Sequence, residues 1–306
     1  IDDDVDGHAE DAGRFAPEAI EARNNDALRR FFLGHAADTL AWLQGMGLTF
    51  HGPSPEPPNR VPRMHNVVPG AKAYIATLHA RLARLGGDVL CDARVVALTR
   101  DDDSGRVTGV IAEVSGERQV FAAGRGVVLA AGDYTSSPEL IARYKGETYT
   151  PVEGINPRST GDGHLLAERE GARLVNMDVT YGPEIRFVAP EGRTFQQLLP
   201  SHGRLSRAVG RLLPLVPRFL MTALIRRLLV TWQHPEDYLF DDGAVLVNTD
   251  GERFCDERQA TERELAMARQ PGKVAYIVLD EALIERYSAW PHFISTAPKI
   301  AYAYVQ

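Results

Sequence analysis

The chain has 306 residues, 44% hydrophobic, 25% charged and 8% aromatic, with 34 basic against 41 acidic side chains and a formal charge of −7. That length predicts two domains with a core large enough to need no disulfide or metal staple; the composition excludes a disordered chain, and the acidic balance argues against nucleic acid as a partner. Two cysteines, Cys91 and Cys255, cannot by themselves build a disulfide framework or a thiolate metal site, which favours a reducing compartment.

From Asn25 to Gln44, Leu28, Phe32, Ala36, Leu40 and Leu43 recur at a helical period, with Asn25 or Asp26 as cap and Gly45 as stop. A short strand is expected at Leu48–Phe50. Five prolines between Gly52 and Pro62 then predict an exposed loop without regular structure. Ala71–Leu85 reads as a second amphipathic helix closed by Gly86-Gly87. The period then changes. Asp88–Cys91, Arg94–Thr99, Val107–Val114 and Arg118–Ala122 are predicted strands, with Asp103-Ser104-Gly105 as a turn. Gly126–Ala131 is apolar on both faces, the pattern of a buried parallel strand. Helices are expected near Pro138–Tyr144 and from Thr160-Gly161-Asp162-Gly163 to Gly171, which makes the pattern α/β.

The texture shifts from Tyr181 onward, and a domain boundary is placed near Asp178–Pro183. Gly203–Gln233 is apolar but carries six arginines and no acid, with Pro214 and Pro217 inside it. Too broken to span a bilayer, it is read as a peripheral membrane contact or as an insertion packed within the second domain. Strands are expected at Gly243–Asn248 and Val274–Leu279, with a polar, helical stretch between them.

Three segments carry the chemistry. The strand Gly126–Ala131 ends in small residues, so a ligand can lie against its backbone. Thr160–Gly163 presents free amides at a helix start, which attract phosphate or a carbonyl oxygen. Gly243-Ala-Val-Leu-Val-Asn248-Thr-Asp-Gly251-Glu-Arg253-Phe-Cys-Asp-Glu257 sets charged groups on a strand and turn. Nine histidines include no HxH or HExxH spacing, so no metal site is expected.

In this order the three segments resemble the FAD-dependent oxidoreductases of the fumarate reductase and 3-ketosteroid dehydrogenase superfamily. The matching motifs are Val128-Leu-Ala-Ala-Gly132-Asp133, Thr160-Gly-Asp-Gly163 with Gly171-Ala172, and Gly243 through Glu257; Arg106-Val-Thr-Gly-Val110 matches the family's hairpin. The resemblance implies a Rossmann-like FAD-binding domain of the glutathione reductase type with a β excursion, plus an inserted α+β cap domain. It divides the chain into a partial FAD-binding domain, 1–178, and a C-terminally incomplete substrate-binding cap, 179–306. The cofactor implied is FAD, held by Val95, Ala130, Ala131, Gly132, Asp133, Thr160, Gly161, Asp162 and Gly163. The activity implied is hydride transfer between flavin N5 and a C–C bond beside a carbonyl, with a proton exchanged at the adjacent carbon.

Tyr181, Arg253 and Glu257 are the candidate catalytic or cap-site residues. Glu184, Arg186, Arg63 and His65 are the candidate substrate contacts. No GxGxxG occurs, and the acidic opening carries neither a methionine nor a signal peptide, so truncation at both ends is expected. The family's reductases place an arginine four residues past the glutamate of the last motif, where Thr261 stands here. The reading is therefore a ketosteroid-dehydrogenase-like enzyme acting on an apolar enone. A fumarate reductase-like dicarboxylate reductase and a non-catalytic fragment unable to hold FAD are the alternatives. The partners implied are a small-molecule substrate and an unidentified electron donor or acceptor. The location implied is the cytoplasm, with membrane contact through 203–233.

Overall fold

The computed structural model describes residues 3–56, 58–188, 208, 212 and 234–287. Two helices that periodicity did not reveal open the fold, α1 (Val5–Gly13) and α2 (Glu18–Glu21). Helix α1 starts where the Asp4 carboxylate accepts from the Gly7 amide at 2.6 Å, the ordinary N-cap contact. The helix expected over 25–44 is two helices, α3 (Asp26–Gly34) and α4 (Ala36–Gly45). They break at His35, whose ψ of 1° departs from the helical value.

The proline-rich stretch is more ordered than its composition predicts. Strand β1 (Thr49–Ser54) runs through Pro53 and pairs antiparallel with β2 (Met64–Val68) in a two-stranded sheet. Both strands are edges, where a missing N–H can face away from the partner. Arg60 and Arg63, from the connecting loop, clamp the carboxylate of Asp11 on α1 at 2.6 Å each, and Asp11 is fully buried. Helix α5 (Lys72–Arg84) follows, then the antiparallel sheet β3 (Ala93–Arg100), β4 (Val107–Val114), β5 (Glu117–Ala122), all near their expected places. Asp88–Cys91 is not a strand.

Gly126–Ala131 corrects the strand reading. It pairs with no strand among the described residues, and Val128 is 89% exposed. Apolarity on both faces matches a buried parallel strand only when neighbouring layers cover both faces, and none of the described elements does so. The described fold is thus mixed α/β with its three sheets all antiparallel. The parallel sheet of a Rossmann-like domain is not among the described residues.

Helix α6 (Pro138–Tyr144) begins at Ser137, whose hydroxyl accepts from the Leu140 amide with Pro138 in the first turn. Helix α7 (Asp162–Arg169) comes next. Tyr134, Leu140, Ile141 and Met177 form a buried cluster at this end of the molecule. A second cluster joins Ile185 to Leu239, Phe240, Ala244, Leu246, Leu283 and Tyr287. It is built by α8 (Asp237–Asp241), β6 (Val245–Val247), α9 (Ala260–Ala268), β7 (Tyr276–Val278) and α10 (Glu281–Tyr287). Strands β6 and β7 pair antiparallel, and α9 lies between them in sequence as expected. Apart from Ala208 and Leu212, the segment 203–233 lies outside the described residues. Among those residues no helix is long and apolar enough to cross a membrane.

Candidate functional site

The two glycine turns singled out from the sequence meet in space. The amide of Gly161 donates to the carbonyl of Asp133 at 3.1 Å, and Ser136 N donates to Ser159 O at 2.9 Å. Gly161 has φ +76°, and a Cβ there would lie 2.3 Å from Leu140 Cδ1 and 2.8 Å from Tyr134 Cβ. Only glycine satisfies both the left-handed backbone and that approach. Gly132, with φ +78°, lies over Ser159, and a Cβ on Gly163 would touch that of Ala131 at 3.1 Å. The result is an exposed ledge of small residues, Ala130, Ala131 and Gly132, beside the start of α7.

That ledge fits a flat, polar-edged cofactor such as FAD. It presents main chain instead of side chains, and unpaired amides of α7 point from one end. His164 Nδ1 is buried there without a hydrogen-bond partner, its ring set edge-on to Tyr134. Thr160 Oγ1 donates to Asp162 at 3.1 Å, and Asp133 accepts from the amide and hydroxyl of Thr135 at 2.8 and 2.7 Å. Val95 lies on β3, close to the same helix: Arg94 Nε is 3.8 Å from Asp162, and Arg169 donates to Val96 O at 3.3 Å.

From Asp133 a cavity of about 680 Å³ runs to the second cluster. It is lined by Tyr134, Ile141, Lys145 and Tyr149 from the first cluster's segment and by Tyr181, Glu184, Arg186 and Glu264 from later in the chain. A neighbouring cavity of about 250 Å³ shares Glu184 and Glu264 with it and adds His234, Asp237, Thr261 and Arg263. Tyr134 holds the floor by donating to Met177 O. Lys145 donates to Asp178 O at 3.0 Å and sits over the Tyr149 ring. The negative charge of Glu184, with partial burial, holds the Tyr181 hydroxyl above the ordinary phenol range. Burial likewise pushes the Glu264 carboxyl up, against the pull of Arg263.

Four of the expected site residues therefore share one cavity: Asp133 of the cofactor set, and Tyr181, Glu184 and Arg186 of the seven catalytic and substrate-contact candidates. The other four of those seven line neither cavity. Arg63 is taken up by Asp3 and Asp11, and His65 is exposed with Nδ1 against Arg63 O. Arg253 is bound to Glu257, whose buried carboxylate accepts from Leu246 N at 2.9 Å and so ties the turn to β6. Burial alone raises the Glu257 carboxyl, but Arg253 and the Leu246 amide outweigh it, and the group lies below the usual carboxylate range. Lys145, Tyr149, Glu264 and Lys273 line the larger cavity without having been expected there. The sequence carried one usable signal for Glu264, an acidic residue on the apolar face of α9 beside Leu265.

The FAD binding domain family matches residues 1–208. The protein named Probable fumarate reductase Ifc3, from Shewanella frigidimarina, is 26% identical over 290 residues, 94% of this chain and 42% of that protein. The 3-oxosteroid 1-dehydrogenase of Comamonas testosteroni is 37% identical over 101 residues, 32% of this chain and 17% of its own length. Among solved structures, the open conformation of a flavocytochrome c3 fumarate reductase matches with a TM-score of 0.63 at 26% identity, over 93% of this chain and 43% of that one. The chain thus spans less than half the length of these relatives.

Proposed function

This chain belongs to the FAD binding domain family, and on that premise we propose that it is part of an FAD-dependent reductase of C=C bonds conjugated to a carboxylate or carbonyl. One observation carries the reading. The small-residue ledge at 130–132 and the glycine turn at 160–163 meet beside Asp133, which lines a cavity together with Tyr181, Glu184 and Arg186. Bound FAD supplies the hydride. The chain's own residues bind and orient the acceptor and hold the proton for the neighbouring carbon. Tyr181 keeps that proton at neutral pH, because the charge of Glu184 opposes its loss. Its 88% exposure gives water access to refill it. Arg186 is placed to bind the carboxylate or carbonyl that activates the double bond.

The direction of the sequence reading shifts in one respect. Thr261 at the expected arginine position argued for a ketosteroid-like enzyme, yet the relative that matches over 94% of the chain is named a fumarate reductase, and the fumarate reductase structure matches at 26% identity and a TM-score of 0.63, against 17% and 0.54 for a 3-ketosteroid dehydrogenase structure of similar coverage. The fumarate reductase-like reaction is therefore the better supported reading. The apolar enone keeps its place as a second one through the 101-residue match and through Ile141, Val152, Ile155 and Met267 in the cavity wall. The test uses the full-length protein. Its visible spectrum should show bound flavin, and anaerobically reduced protein should be reoxidised by fumarate esters or fumarate. Reoxidation by a steroid enone alone moves the assignment to the second reading; reoxidation by neither removes both.

A further inference from the structure

Two cations that line the larger cavity are rooted in separate cores. Lys145 closes α6, where its amide donates to Ile141 O at 2.8 Å, and Leu140 and Ile141 fix that helix in the first cluster. Arg186 follows Ile185, a member of the second cluster. Both side chains line the cavity, and neither forms an ion pair among the described residues. Lys145 Nζ donates to Asp178 O at 3.0 Å and lies 5.2 Å from the centre of the Tyr149 ring, which leaves two of its three N–H groups for a ligand. The Asp178 carboxylate, within reach of the same charge, is already bonded at both oxygens by Arg23, at 2.6 and 2.7 Å. Arg186 acts on the Tyr181 hydroxyl, its charge opposing that of Glu184.

The carboxylates of the same lining are largely engaged. Glu153 is held by Lys273 and Glu264 by Arg263, each at 2.6 Å, and Asp133 accepts from the amide and hydroxyl of Thr135. Glu184 faces the Tyr181 hydroxyl and, at 4.0 Å, His234 Nε2. An anionic ligand thus meets one guanidinium beside the proton donor and one ammonium on the segment that carries the first cluster. The ammonium is a compact charge on a flexible stem, suited to meet the far end of a short acceptor. We propose that Lys145 is a specificity-determining residue, binding the second carboxylate of a dicarboxylate acceptor whose first carboxylate is held by Arg186. The inference rests on the reductase reading for what becomes of the acceptor, but not for the binding itself.

The probes are succinate and butyrate, saturated acids of equal chain length with two carboxylates and one. Their dissociation constants are measured by calorimetry on the full-length holoprotein at neutral pH. Succinate should bind about tenfold more tightly than butyrate, the worth of one added charge pair in a partly exposed site. Lys145→Met and Lys145→Gln should each remove most of that gap and leave butyrate binding unchanged, whereas Lys145→Arg, which keeps the charge, should preserve it. Arg186→Gln should weaken both acids. A gap that survives loss of the Lys145 charge, an equal weakening of both acids by that loss, or succinate binding no tighter than butyrate in the unaltered protein overturns the proposal. Reduction of fumarate and crotonate is assayed in parallel. Reduction of neither sinks the reductase reading and leaves the binding gap to decide the role of Lys145; reduction with a gap indifferent to Lys145 removes that role alone.

Discussion

Glu257 and Tyr181 entered as equals from the sequence, and their surroundings separate them. Glu257 is 2% exposed and satisfies both the Leu246 amide and Arg253, so its task is to hold the turn after β6 against the strand. Glu257→Ala leaves that amide without its acceptor and should lower stability by about 2 kcal/mol, the cost of losing a buried charge-assisted hydrogen bond. The urea midpoint should fall with an unchanged m-value, and ligand affinity in the protein that stays folded should be unaffected. Tyr181 behaves in the opposite way. It is exposed, makes little packing, and faces the cavity. Tyr181→Phe should leave the melting temperature within a degree or so while lowering kcat by roughly a hundredfold. An unchanged kcat would remove Tyr181 as the proton donor.

At the scale of elements, the glycine turns show what local spacing can and cannot reveal. Gly161 and Gly86 have nearly the same backbone, φ +76° and +77°. Around Gly86 nothing lies within 4 Å of a would-be Cβ, so Gly86→Ala should cost only the conformational penalty, about 1 kcal/mol. At Gly161 the same change drives a methyl into Leu140 and Tyr134, so Gly161→Ala should cost about 2 kcal/mol more and loosen the contact with the 130–133 ledge. Thermal unfolding of the two variants should separate them, and flavin retention should fall only for Gly161→Ala. Equal effects would show that the turn is not packed against the ledge. Helices α6 and α7 and strands β3 to β5 were legible because each carries its own period, cap or turn. Helices α1 and α2 and strand β2 were not, because they are held by distant partners such as Asp11 with Arg60 and Arg63 and by the pairing of β1 with β2.

Across the whole molecule, three tertiary contacts share an electrostatic consequence. Arg63 and Arg60 hold the Asp11 carboxyl well below its ordinary range despite the opposing effect of burial. Arg23, bonded to both oxygens of Asp178 at 2.6 and 2.7 Å, lowers that group to about 2. Glu257 is lowered as well. Groups depressed in the folded state contribute stability that is complete above their unfolded pKa, about 4. That stability is lost as pH falls toward the folded value. The melting temperature should therefore be flat from neutral pH down to about pH 5 and drop steeply below about pH 4. Asp11→Asn should start from a lower neutral value and show a shallower acid drop. A wild-type profile that stays level to pH 3 would contradict the assigned carboxylate contacts.

The order of the motifs, from the ledge at 128–133 through the turn at 160–163 to the segment 243–257, determined the family, because each needs small or charged residues at fixed local offsets. The hydrophobic periods likewise determined most helices and one whole antiparallel sheet. Local offsets carry no information about which distant side chains become neighbours. Tertiary packing alone decided that Arg63 and Arg253 are spent in ion pairs, that Glu264 and Lys145 reach the cavity with Tyr181 and Arg186, and that Gly126–Ala131 lies uncovered among the described elements. Burial and pairing are properties of the surroundings that a residue meets after the chain has closed on itself.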